Sequence, residues 1–172
     1  METLEVIPDP ISLIESMRAV GYSVEAAIAD LIDNSISAQA DVVEIKYDAS
    51  DDPFVAILDN GWGMAPDELT NAMRHGSNNP TDERQPDDLG RFGLGLKTAS
   101  LSQCRKLTVV SRKGNVTSAR RWDMDVVQHS GRWLVVVPDF KKLEALPMFS
   151  RLQEQDSGTL VVWQELDRLT AG

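Results

Sequence analysis

The chain reads as an α+β sandwich with a largely antiparallel sheet. Helical periodicity is concentrated early in the sequence, β-rich runs are concentrated late, and 172 residues with 42% hydrophobic content suffice for the two-layer core of one domain. There are no internal repeats and no low-complexity tract.

Asp9 and Pro10 open a first helix that runs to Val20 and stops at Gly21. Ser23 caps a second helix, roughly residues 24–38, in which Val24, Ala27, Ile28, Leu31 and Ser35 follow the spacing of one buried face. Strands are expected at 42–47 and 54–58, around the polar turn Ser50-Asp51-Asp52-Pro53. A helix begins near Pro66, with Asp67 and Glu68 favourable in its first turn. Residues 75–89 are polar and loop-like, a helix then reaches about Gln103, and strands are expected near 107–111, 117–127, 133–138 and 159–164.

The net charge of −10 argues against direct nucleic-acid binding by this domain. Arg112-Lys113 and Arg120-Arg121 flank a hairpin turn at Gly114-Asn115, where solvated charge is the simpler expectation. No apolar run approaches the ~20 residues of a membrane span, and the first residues lack the pattern of a signal peptide. The single cysteine, Cys104, reads as a packed thiol and excludes an internal disulfide, and a cytoplasmic location is expected.

Three short motifs carry the chemistry. Asp30 and Asn34 are four apart on the second helix, beside its apolar stripe. Asn34 offers a neutral oxygen to Mg²⁺, and Asp30, one turn earlier, a carboxylate able to orient or deprotonate water. The competing reading is two surface polar residues on an amphipathic helix. In the second motif, Asp59-Asn60-Gly61-Trp62-Gly63-Met64, the Asn-Gly pair would suit a hairpin, but Ala65-Pro66-Asp67-Glu68 starts a helix instead. The turn therefore leaves the sheet, its glycines permit a close approach, and Asp59 can accept a hydrogen bond from an exocyclic amine such as that of adenine. The third motif, Gly90-Arg91-Phe92-Gly93-Leu94-Gly95-Leu96-Lys97, is neither a P-loop, since Leu96 displaces Lys97 from register, nor a dinucleotide fingerprint, since no strand precedes it. It supplies backbone amides at a helix start, suited to phosphate; a simple glycine hinge is the alternative.

With Gly158-Thr159-Leu160-Val161-Val162-Trp163, these motifs stand in the order of the GHKL superfamily of ATPases: gyrase, the heat-shock chaperones, histidine kinases and the mismatch-repair MutL proteins. The chain resembles that superfamily, and within it most looks like Microrchidia-type and related bacterial ATPases. The resemblance implies the Bergerat fold, a two-layer α/β sandwich whose mixed, mostly antiparallel sheet is covered by helices on one face. It also implies ATP or ADP with Mg²⁺ as ligands. Asn34 would coordinate the metal, Asp59 would hold the adenine amine, Gly63 and Met64 would shape the base pocket, and Thr159 would contribute to it. Gly93, Leu94, Gly95 and Leu96 would give amides to the phosphates, with Lys97 adding charge. Residues from about 73 to 90 would form an ATP lid over a single domain spanning 1–172, itself the N-terminal part of a longer protein that dimerises on binding ATP.

Two departures bear on activity. The family base is usually Glu where this chain has Asp30, shorter by one methylene, and Ser37 replaces a common Asp after the metal-binding Asn. Three functional classes therefore stand: a Mg²⁺-dependent ATPase module, a nucleotide-gated binding module with little turnover, and the catalytic domain of a sensor kinase. The last is disfavoured because no phospho-acceptor helix pair precedes the first motif.

Overall fold

A computed structural model describes residues 1–74 and 95–167 of the chain. Two helices open it. Asp9 accepts a hydrogen bond from the Ser12 amide at 2.9 Å and caps α1 (Pro10–Arg18); Ser23 accepts from the Ala26 amide at 3.1 Å and caps α2 (Val24–Ser37). Strands β1 (Val43–Asp48) and β2 (Phe54–Asp59) follow, then α3 (Pro66–Ala72) and α4 (Gly95–Leu101). The remainder comprises β3 (Lys106–Lys113), β4 (Val116–Asp123), the short helices α5 (Met124–Ser130), α6 (Phe140–Glu144) and α7 (Phe149–Glu154), and β5 (Gly158–Gln164).

The five strands form one sheet in the order β1-β2-β5-β3-β4, with all four pairings antiparallel. Gly114 and Asn115 both take positive φ, 57° and 63°, as a two-residue turn needs if its twist is to match that of the strands it joins. On one face, Val55, Ile57, Leu107, Val109, Trp122, Val161 and Trp163 pack against Ile14 of α1, Ala27 and Leu31 of α2, Leu69 of α3 and Ala99 and Leu101 of α4. This is the α+β two-layer sandwich expected from the sequence. Among the described residues, no helix is long and apolar enough to cross a membrane.

The opposite face is covered as well over part of its area. Ala56, Leu58, Val110, Ala119, Leu160 and Val162 pack against Leu143 and Leu146 of the α6 region and Phe149 and Leu152 of α7. Phe140 and Phe149 meet edge to face at 5.6 Å.

Three local expectations are corrected. The strand expected to reach Val127 ends at Asp123, whose carboxylate accepts from the Asp125 amide and starts α5. The run 133–138 is not a strand; its backbone meets the sheet where Arg121 and Val136 exchange two bonds of 2.8 Å, and the Trp133 ring packs edge-on against Trp122 of β4. Helices also interrupt the late, strand-rich part of the chain, because α5, α6 and α7 are too short to show helical periodicity.

Candidate functional site

Asp59 ends β2 opposite Thr159 on β5, which lies opposite Ser111 on β3, itself opposite Ser118 on β4. Alternation along the strands puts this polar row on the face that carries α1 to α4. Along the same face the row is followed by the apolar residues Ile57, Val109 and Val161.

Asp59 is 7% exposed. Its Oδ1 accepts from the amides of Gly61 (2.9 Å) and Thr159 (3.2 Å), and its Oδ2 accepts from the Ser35 hydroxyl at 2.8 Å. Burial nonetheless pushes its carboxyl above the usual carboxylate range, outweighing the opposing pull of those hydrogen bonds. A carboxylate offers about four acceptor positions, so three donors leave room for one more. An exocyclic amine suits that position, because it is a donor able to satisfy a desolvated oxygen.

The turn after Asp59 is shaped by its neighbours. The Asn60 side chain accepts from the amides of Asp41 and Val42, both at 2.9 Å, and the Trp62 amide donates to the Ala38 carbonyl at 3.1 Å. Gly63 has φ +69°, and a Cβ there would sit 2.1 Å from the Arg112 carbonyl oxygen, so only glycine fits. Met64 donates its amide to the Ser111 hydroxyl at 2.8 Å, and Ser111 lies 2.8 Å from the Thr159 hydroxyl. Across the strand, Gln155 donates to the Asp59 carbonyl at 2.9 Å, and Ser157 donates to the Gly61 carbonyl at 2.7 Å.

Helix α2 brings the other motif to this end of the sheet. Leu31 and Ser35 face inward, and Asp30 and Asn34 lie on the adjacent flank, both half-buried. Tyr22 donates its hydroxyl to Asp30, a bond that pushes the phenol up to about 12. Helix α4 packs against α2 and begins at Gly95. Leu96 is half-buried there and packs on the core, while Lys97 is fully buried, which pushes its ammonium down to about 8.

Asp59, Gly63, Met64 and Thr159 thus meet at one end of the sheet, with Asp30 and Asn34 on the helix that Ser35 bonds to Asp59, and Gly95, Leu96 and Lys97 on the next helix. Gly93 and Leu94 lie outside the described residues, as does the expected lid beyond Arg74. Met73, placed at the start of that lid, is buried in the core, and its carbonyl accepts from the Trp122 indole at 2.9 Å.

The sequence profile of the histidine kinase-, DNA gyrase B- and HSP90-like ATPases matches residues 22–159, a span running from Tyr22 to Thr159 and containing the whole of this site. The chain belongs to that family of ATPases. Similar proteins include ATPase morc-1 of Caenorhabditis elegans, 32% identical over 95 residues, or 55% of this chain and 11% of that protein. ATPase MORC2B of Mus musculus is 30% identical over 118 residues, 65% of this chain and 11% of that protein. A DNA mismatch repair protein MutL of Herminiimonas arsenicoxydans is 28% identical over 128 residues, 72% of this chain and 21% of that protein. The chain therefore spans only 11% to 21% of the length of these relatives.

In this ATPase domain Ser35, Ser111, Gln155 and Ser157 hydrogen-bond the residues of the candidate site, and the sequence reading assigns none of them a role there. The first two left a signal: Ser35 is a polar residue in the buried stripe of α2, and Ser111 is a polar residue at an inward position of β3. Both are the sort of buried hydroxyl that requires a partner.

Proposed function

We propose that this domain binds ATP and ADP with Mg²⁺, hydrolyses ATP to ADP and phosphate, and couples nucleotide state to lid closure and to dimerisation of a longer protein. The observation that carries the reading is the buried Asp59 carboxylate, held by Gly61, Thr159 and Ser35 with room for one further donor. The adenine amine is that donor, Met64 and Gly63 bound the base, and Thr159 lines its edge. Asn34 fits Mg²⁺ as a neutral oxygen ligand that leaves the remaining positions to phosphates and waters. When bound, the metal supplies charge to the phosphate oxygens. The amides of Gly93 to Leu96 and the ammonium of Lys97 supply the rest.

Asp30 acts as the base. It takes a proton from water as the water oxygen bonds to the γ-phosphorus and the bridging bond to ADP breaks. A nucleotide-gated module with little turnover is the second reading, favoured by the shorter Asp30 side chain and by the engagement of one of its oxygens with Tyr22. Asp30→Asn separates the two. In an ATPase it abolishes phosphate release, by roughly 100-fold or more, while nucleotide affinity persists. Unchanged turnover in that variant would remove Asp30 from the role of base.

A further inference from the structure

We propose that Tyr22 is a positioning residue for Asp30, fixing the carboxylate so that its second oxygen faces the attacking water. The inference rests on Asp30 serving as the base. Tyr22 precedes the Ser23 cap of α2 and stands eight positions before Asp30, so two turns of helix bring the phenol over the carboxylate. Its hydroxyl donates to Asp30 Oδ2, and its ring packs against the core.

The backbone of Tyr22 is anchored independently. Its carbonyl accepts from Gln103 Nε2 at 2.7 Å, and Gln103 is 1% exposed and also donates to the Ser102 hydroxyl at 3.1 Å. Gln103 lies just after α4, the helix that the glycine motif opens. The phenol is thus a strut from the end of α4 to the carboxylate on α2. Gly21, with φ +78°, turns the chain into this position.

The arrangement also answers the missing methylene. Asp has fewer rotatable bonds than Glu, so a single hydrogen bond to one oxygen determines where the other points. Removing the donor must therefore slow the step that activates water while leaving nucleotide binding intact, a pair of effects that loss of packing alone does not produce.

Tyr22→Phe keeps the ring and removes the hydroxyl. The expected result is a kcat lowered about 3- to 10-fold with nucleotide Kd unchanged, a split that points to the chemical step and not to the pocket. If kcat matches wild type while Asp30→Asn has no turnover, Tyr22 is structural and the inference falls alone. If wild-type protein or Asp30→Asn shows that Asp30 is not the base, the inference falls with it. Melting temperature and ADP titration of Tyr22→Phe confirm that the fold and pocket persist.

Discussion

The hydroxyl of Ser35 on α2 donates a 2.8 Å hydrogen bond to the carboxylate of Asp59 at the end of β2, 24 positions away. This bond ties the helix that carries Asp30 and Asn34 to the strand that carries the proposed base-binding group. Both partners are buried, at 3% and 7% exposure, so the bond also sets the register of the helical layer over the sheet. A hydrogen bond to a charged group is worth about 1.5–3 kcal/mol. Its loss in Ser35→Ala is expected to reduce both stability and nucleotide affinity.

Asp59→Asn should spare the fold and damage the ligand. The remaining oxygen still accepts from Gly61 and Thr159, and the Ser35 hydroxyl can accept from the new amide. Because burial raises the folded-state pKa of Asp59, its contribution to stability is present at low pH and lost as pH rises through that pKa. At pH 7 the variant should therefore melt no lower than wild type, and the comparison should shift in favour of wild type below about pH 4. Adenine nucleotide affinity should fall about 10- to 100-fold by calorimetry. Equal weakening of every nucleotide would sink the base-pocket assignment.

Gly63→Ala tests the turn. A methyl group there meets the Arg112 carbonyl at 2.1 Å, on a backbone already at φ +69°. Strain of this kind costs about 1–3 kcal/mol, and displacing β3 adds to it. Denaturant titration should show that loss, together with impaired ADP binding because Met64 moves with the turn.

Lys97 predicts an alkaline effect. Its folded-state pKa is held near 8 by burial, below the ordinary lysine value, so between about 8 and 10.5 the unfolded chain binds more protons than the folded one. Stability should rise with pH across that window. Lys97→Met should flatten the rise and weaken ATP more than ADP, the second effect following from its proposed place beside the phosphates. A pH-independent difference between the two proteins would contradict the burial of its charge.

The parts of the fold legible in the sequence are those set by local chemistry. Ser23, Asp9 and the Gly114-Asn115 turn act over a few residues, and each appears where its side chain or φ requirement puts it. The sequence predicts helices on one face, whereas α6 and α7 also cover part of the other, in keeping with the unbroken apolar run of β2 from Phe54 to Leu58, a pattern that implies burial on both faces. The run 133–138 looked like a strand because of Val135, Val136 and Val137, yet Pro138 has no amide to continue a ladder, and Asp139 caps α6 directly afterwards.

The candidate site divides in the same way. Asp59, Gly63 and Met64 lie within six residues of one another and are legible as a unit. Gln155 and Ser157 reach Asp59 and Gly61 across 96 positions only because β5 pairs with β2, and no local spacing announces them.

The most direct test is calorimetric titration with ADP and a non-hydrolysable ATP analogue, each in Mg²⁺ and in EDTA, on wild-type protein and Asn34→Ala. Binding to wild type that weakens at least tenfold in EDTA, with an Asn34→Ala variant that is folded and indifferent to the metal, is the predicted result. Folded wild-type protein that binds neither nucleotide, or binds both equally with and without Mg²⁺, would contradict the account.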